Sequence, residues 1–292
     1  MRATAFCPGH VTCVFQPHRV DEPLRSGSRG IGFCLELGAR AEVVDHDRLE
    51  VHVNGVAEDA AVTREALGIM GADGLLVRIE TDLPVSQGFA MSAAGTVSAC
   101  LAAASLQGST SEAAFHAAHV AELTRGGGMG DVAGIMAGGV SVRRSPGPPP
   151  YGEVERLDLH GDVLLAVLGP PIRTTDILSD DVMRRRIESM GSECIGSFLK
   201  EPGWGSLFTH SRRFCQETGL LDATVEKALD ALQPHGEASM CMLGNSLFFR
   251  GDLAAARDVL GDDTWTCGID LAGPGITNEG RTVNEKTNHN VD

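Results

Sequence analysis

Lysine is nearly missing from this chain. The 24 basic residues are almost all arginine, with only Lys200, Lys227 and Lys286 as exceptions, and 39 acidic residues leave a formal charge of −15. Such a surface repels phosphate backbones and anionic lipid, so neither nucleic acid nor a membrane is expected as a partner. A small anionic substrate stays compatible, because one local arginine outweighs distant screened charge. The eight cysteines contain no C-x-x-C pair and no grouping with histidine, which argues against a zinc site or a disulfide framework. Cys100 and Cys241 lie in apolar runs and read as small buried hydrophobes. No apolar stretch approaches membrane-spanning length, Pro8-Gly9 arrives too early for a signal-peptide apolar segment, and no internal repeat is present. These absences predict a soluble protein of a reducing, cytoplasmic compartment.

The composition is otherwise that of a globular protein, 292 residues with 42% hydrophobic. The first half alternates strand and helix signals. Arg2–Phe15, Gly30–Leu37, Ala41–Val44 and Arg48–Val53 read as strands, Glu58–Met70 as a helix and Leu75–Thr81 as a strand. Ser92–Leu106 is hydrophobic nearly all round and reads as a buried helix; Ser111–Leu123 is a second. After a strand at Val140–Arg143, the proline-rich Ser145–Tyr151 reads as a rigid surface loop at a domain edge. The second half gives a strand at Val163–Leu168 and helices near Ser179–Met190, Ser206–Glu217 and Asp222–Leu232. It closes with strands at Glu237–Leu243 and Ser246–Arg250, a helix at Leu253–Leu260 and a strand at Thr264–Ile269. With the extra helices treated as elaboration, this is the β-α-β-β-α-β order of a ferredoxin-like domain. The expectation is an α+β protein with an N-terminal domain over 1–155, a second over 156–276 and a polar tail over 277–292.

Thirty-six glycines cluster where chemistry is plausible. In Pro84-Val85-Ser86-Gln87-Gly88-Phe89-Ala90-Met91-Ser92-Ala93-Ala94-Gly95 a strand ends, a loop follows and a helix of small residues begins. Free N–H groups at a helix N-terminus bind phosphate, small side chains let the backbone approach, and the Ser92 hydroxyl could reach a Mg²⁺ bridging phosphates; an ordinary capped core helix with a glycine-bearing entry loop is the alternative. Neither a Walker A loop nor a dinucleotide fingerprint matches. In Arg125-Gly126-Gly127-Gly128-Met129-Gly130-Asp131, four glycines are hard to justify by folding alone. Asp131 is then either a helix N-cap or a carboxylate held against a substrate hydroxyl, as phosphoryl transfer requires. Glu122, on the preceding helix, is the second acid for Mg²⁺ or else a solvated face residue. In Leu24 to Gly32, Ser26, Ser28 and Gly30 surround Arg29, whose guanidinium suits a carboxylate; an exposed turn is the alternative. His10, after Pro8-Gly9, either touches substrate or caps a loop. His116 and His119 read as a surface pair rather than half a metal site.

In this order the segments resemble the GHMP kinases, the superfamily of galactokinase, homoserine kinase and mevalonate kinase. The resemblance rests on Pro8-Gly9, Pro84 to Ala94, Gly126 to Asp131 and Ala238 to Ser246, and reaches from the first strand to about Ile269. It implies a ribosomal-S5-like N-terminal domain and a ferredoxin-like C-terminal one. Within the superfamily the match is nearest to the archaeal-type pantoate kinases, through Pro8 to Thr12, Arg25-Ser26-Gly27-Ser28-Arg29-Gly30, Gly88 to Gly95, Gly130-Asp131-Val132 and Met242 to Asn245. Two departures stand out: the glycine run of the C-terminal motif is reduced to Gly244, and the Glu122–Asp131 interval is shorter than in mevalonate kinase-like members. The resemblance implies ATP and Mg²⁺ as cofactors and phosphorylation of pantoate in coenzyme A biosynthesis. Pro84, Gly88, Ala90, Met91, Ser92, Ala93 and Ala94 would hold ATP, His10, Ser26, Ser28, Arg29 and Gly30 the acceptor, Ser92 and Glu122 the metal, and Asp131 would be catalytic. The alternatives are a homoserine, shikimate or mevalonate-type acceptor, or a non-catalytic metabolite-binding regulator; a homodimer is the assembly to test for.

Overall fold

The computed structural model describes residues 1–172 and 181–277. The expected tail beyond Thr277, and Ser179 and Asp180 of the expected helix, lie outside the described residues. Two long antiparallel strands open the chain, β1 (Arg2–His18) and β2 (Gly27–Asp45), separated by a 3-10 turn at Pro23–Arg25. The sequence predicts three shorter strands here, but pairing runs from Arg2↔Val44 to His18↔Gly27. Gly38, between the expected second and third strands, permits the continuity: a Cβ there would stand 2.1 Å from the Cys7 carbonyl oxygen. The register slips between Pro8 and Gly9 and again between Thr12 and Val14. Bulges of this kind re-aim side chains, and these two bracket His10 and Thr12.

The rest of the first sheet is β3 (Glu50–Val53), β4 (Val56–Ala57), β5 (Leu75–Thr81), β6 (Val140–Arg143) and β7 (Val154–Leu157), with β5 and β6 both pairing β2. Helices α1 (Ala61–Ile69), α2 (Met91–Gln107), α3 (Ser111–Arg125) and α4 (Asp131–Ala137) belong to this half. α2 lies on β1 and β2, flanked by α1 and α3. Thirteen of its residues are buried, from Met91 to Ala104, which is why its sequence shows no polar face. Its small side chains let it press close to the sheet; even at Gly95 a Cβ would meet Ile79 Cγ2 at 3.1 Å.

The second sheet holds β8 (Asp162–Val167), β9 (Gly236–Met240), β10 (Ser246–Gly251) and β11 (Thr264–Gly268). Its order is β11-β8-β10-β9, all antiparallel, with α5 (Asp181–Phe198), α6 (Trp204–Thr218), α7 (Ala223–Leu232) and α8 (Leu253–Leu260) between strands. This is the ferredoxin-like order expected from the sequence. The expected domain edges need adjustment. β7 continues the first sheet past residue 155, and β12 (Gly275–Ile276) returns to pair β1. The two halves also share a core: Phe33 of β2 meets Trp204 and Phe248 edge-on at 5.8 and 5.2 Å, and Phe15 meets Phe214 at 5.4 Å. All eight cysteines are buried and free. Among the described residues no helix is long and apolar enough to cross a membrane.

Candidate active site

A cavity of about 300 Å³ opens where the two halves meet. One wall is the segment 86–93. Ser86, Gly88 and Ala90 all take left-handed backbone angles, with φ of 61°, 79° and 54°. Left-handed non-glycine residues are strained and cluster at functional sites, and alternation of hand makes concave, anion-binding backbone. α2 begins here with no side-chain cap, leaving its first-turn N–H groups without an internal partner. Ser86, Gly88, Ala90, Met91, Ser92 and Ala93 line the cavity; Pro84 and Ala94 do not. The Ala94 N–H is already used, donating to the Ala90 carbonyl within the helix.

The loop is clamped from behind by the second half. Ser246 Oγ donates to the Gln87 carbonyl at 2.5 Å, and Gln87 Nε2 donates to the Gly169 carbonyl at 2.9 Å. A Cβ at Gly244 would sit 2.2 Å from the Gln87 carbonyl group. One glycine in the C-terminal motif therefore suffices for close packing, while Met242 and Leu243 reach the cavity.

The opposite wall carries the acids. Glu122 on α3 is 3% exposed; its Oε2 accepts the Gly128 N–H at 2.6 Å and its Oε1 has no partner. Burial, then the charge of Asp131, push its carboxyl up to about 8 against the opposing Gly128 hydrogen bond. Asp131 opens α4, and its Oδ1 accepts from His10 Nδ1 at 3.0 Å and Thr12 Oγ1 at 3.2 Å. Burial works to raise Asp131, but the His10 and Thr12 hydrogen bonds and the charge of Arg143 outweigh it and hold the carboxyl below its ordinary value. The glycine run exists because these side chains occupy the space. A Cβ would lie 2.3 Å from Glu122 Oε2 at Gly127, 2.1 Å from Asp131 Oδ2 at Gly128 and 2.3 Å from Ser28 Oγ at Gly130.

Behind this wall stands a residue the sequence reading missed. Arg143 closes β6, is 1% exposed, and its three guanidinium nitrogens have no hydrogen-bond partner. Gly30 pairs directly opposite it, and a Cβ at Gly30 would be 2.3 Å from Nη2; one at Gly130 would be 2.6 Å from Nε. A buried unpaired guanidinium is costly and requires an explanation. Its signal in the sequence is a charge closing the short strand Val140-Ser141-Val142-Arg143.

The acceptor residues named from sequence are redistributed. Ser28 lines the cavity, but Arg29, the next residue on β2, points the other way, as strand alternation requires. It is half-exposed and donates to the Arg144 carbonyl at 2.9 Å and Gln16 Oε1 at 3.0 Å. Ser26 Oγ is occupied by the Val20 backbone, Gly30 makes room for Arg143, and His10 is wholly buried beneath Asp131. His116 and His119 are not a surface pair: His119 is 1% exposed and donates to the Ser26 carbonyl, and His116 donates to that of Pro149. Among the described residues no three metal-ligating side chains cluster.

Comparison with known proteins bears on this cavity. Residues 52–139 match the N-terminal domain of the GHMP kinases. The pantoate kinase of Thermococcus kodakarensis is 33% identical over 263 residues, 85% of this chain and 87% of that one. The pantoate kinase of Methanospirillum hungatei is 31% identical over 269 residues, 87% of this chain and 89% of its own. A solved structure described as a phosphotransferase related to the CoA biosynthesis pathway superposes with a TM-score of 0.86 at 29% identity, covering 95% of this chain and 99% of its own.

Proposed function

The chain belongs to the pantoate kinases, within the GHMP kinases, and we propose that it moves the terminal phosphoryl group of ATP to the primary hydroxyl of pantoate, giving 4-phosphopantoate and ADP. The observation that carries the acceptor assignment is Arg143. A small hydroxy acid has one full charge at neutral pH, its carboxylate, and directly behind the cavity-lining Ser28 and Gly130, itself outside the lining, lies a guanidinium with no hydrogen-bond partner. A planar fork pairs a carboxylate bidentately, and a buried one does so with little screening. The carboxylate is therefore assigned to Arg143 and Ser28 instead of Arg29.

The phosphates are assigned to Gly88–Ala93, where the uncapped start of α2 supplies N–H groups and dipole. Mg²⁺ fits the residues present: Glu122 Oε1 is a buried carboxylate oxygen without a partner, and the Ser92 hydroxyl lines the same cavity. When bound, the ion would neutralise charge on the transferring phosphates. Asp131 Oδ2 faces the cavity side at Gly128, where it orients the acceptor hydroxyl. The hydroxyl oxygen attacks the terminal phosphorus in line, the bond to the bridging oxygen of ADP breaks, and the hydroxyl proton passes to Asp131. A carboxyl held below its ordinary value is a weak base, so orientation outweighs deprotonation, as a loose transition state allows. The reaction places the protein in coenzyme A biosynthesis, in a cytoplasmic setting.

The test is ADP release by purified protein with MgATP and a panel of pantoate, homoserine, shikimate and mevalonate, with the phosphorylated position read by ³¹P–¹H correlation. Pantoate alone should turn over efficiently, at the terminal oxygen. Preference for another acid overturns the acceptor assignment, and no turnover with any acid favours a metabolite-binding regulator.

A further inference from the structure

We infer that His10 is a positioning residue that fixes which oxygen of Asp131 meets the acceptor hydroxyl. The inference rests on the role assigned above to Asp131. A carboxylate presents two equivalent oxygens and turns freely about its terminal bond unless one is held. Here Oδ1 takes two donors, His10 Nδ1 at 3.0 Å and Thr12 Oγ1 at 3.2 Å, while Oδ2 is left toward Gly128. The two donors come from alternate positions of β1, so they share one face of the strand. The register slips bracketing that segment set where the face is aimed.

The surroundings of the ring show that the pairing is built and that it ends at His10. The ring is fully buried and Nε2 has no partner. Gly32 on β2 and Gly134 on α4 enclose Nε2, and a Cβ at either would stand 2.5 Å from it. Glycine inside a strand and inside a helix both weaken their elements, yet the imidazole occupies the space that side chains there would fill. With Nε2 sealed from the cavity, a proton reaching the ring has no onward acceptor. His10 therefore holds Asp131 and does not relay its proton.

The experiment compares His10→Leu with His10→Asn. Both fill much of the space, but only asparagine keeps a donor near the place of Nδ1. The expected result is a fall in kcat of about tenfold to a hundredfold in His10→Leu, an unchanged KM for ATP, and recovery of most of kcat in His10→Asn. Equal turnover in the two variants overturns the proposal. Should His10→Leu fail to fold, Thr12→Val removes the second donor at nearly constant volume and should lower kcat several-fold with its melt intact. Wild-type kcat in Thr12→Val overturns the claim that donors to Oδ1 set the rate. Asp131→Asn separates the two levels: if it keeps turnover, the role of Asp131 fails. If it is inactive while His10→Leu runs at full rate, only the positioning role fails.

Discussion

The two walls of the cavity are made differently. The wall from Ser86 to Ala93 acts through backbone: three left-handed residues and an uncapped helix start, steadied by the Leu243-Gly244-Asn245 turn. The opposite wall acts through side chains that are buried or, at Asp131, part-buried. Glu122, Asp131, Arg143 and His10 come from α3, α4, β6 and β1 and are packed against glycines that leave no room for a Cβ. Backbone sites tolerate side-chain change where geometry survives, whereas buried charges fail when one partner is lost. Substitutions in the second wall should therefore act more sharply, and each should act on one substrate or one step.

The largest effect is expected at Asp131. Asp131→Asn should lower kcat by roughly two to four powers of ten while ATP binding, followed by calorimetry, changes little. Near-wild-type turnover in a variant with a normal melt would erase the distinction between the walls. Ser92→Ala comes next, with about a tenfold loss of kcat/KM for ATP that partly recovers at high Mg²⁺. A loss confined to KM for pantoate would move Ser92 to the acceptor side.

Glu122 predicts a pH dependence. In the folded, ligand-free protein its carboxyl keeps a proton up to about 8, against an ordinary value of 4.5. Folding thus binds a proton between those limits. The associated stability is full in acid and lost as pH rises toward 8. Glu122→Gln removes that slope, so denaturant melts should show it near wild type at pH 4. At pH 8.5 it should be more stable by on the order of a few kcal/mol. Parallel curves for the two proteins would mean that Glu122 is ionised in the folded state. The smallest effect is expected at Arg29: Arg29→Ala should leave both KM values within about twofold, because its bonds run to Arg144 and Gln16 outside the cavity. A large rise in KM for pantoate there would return the carboxylate to β2.

The same contrast explains what the sequence made legible. The wall from Ser86 to Ala93 is contiguous, so it is legible from the spacing of one strand, loop and helix. The ferredoxin-like order follows from strand and helix succession, because β8, the β9–β10 pair and β11 are separated by helices in chain order. The glycine run is conspicuous in the sequence, but the side chains that fill its space, Glu122, Asp131, Ser28 and Arg143, come from four separate segments. Arg143 stayed hidden because Gly30, Gly130 and Arg143 meet only through the β2–β6 register. Arg29 attracted the carboxylate because it neighbours Ser28 in sequence, and adjacency in a strand means opposite faces. The gap between the expected strands ending at Leu37 and beginning at Ala41 closes because Gly38 admits close backbone contact with Cys7.

We propose that the buried, unpartnered guanidinium of Arg143 exists for the acceptor carboxylate and not for the fold. Arg143→Met, close in shape and without charge, tests it in one preparation by thermal melt and by titration with pantoate. Replacing an unpaired buried charge with an apolar side chain should not destabilise the protein, so the ligand-free variant is expected to melt at or above wild type. Pantoate affinity should fall by about a hundredfold or more, with the affinity for an ATP analogue unchanged. A variant that melts well below wild type yet binds pantoate normally would make Arg143 a residue of the fold and place the acceptor carboxylate elsewhere.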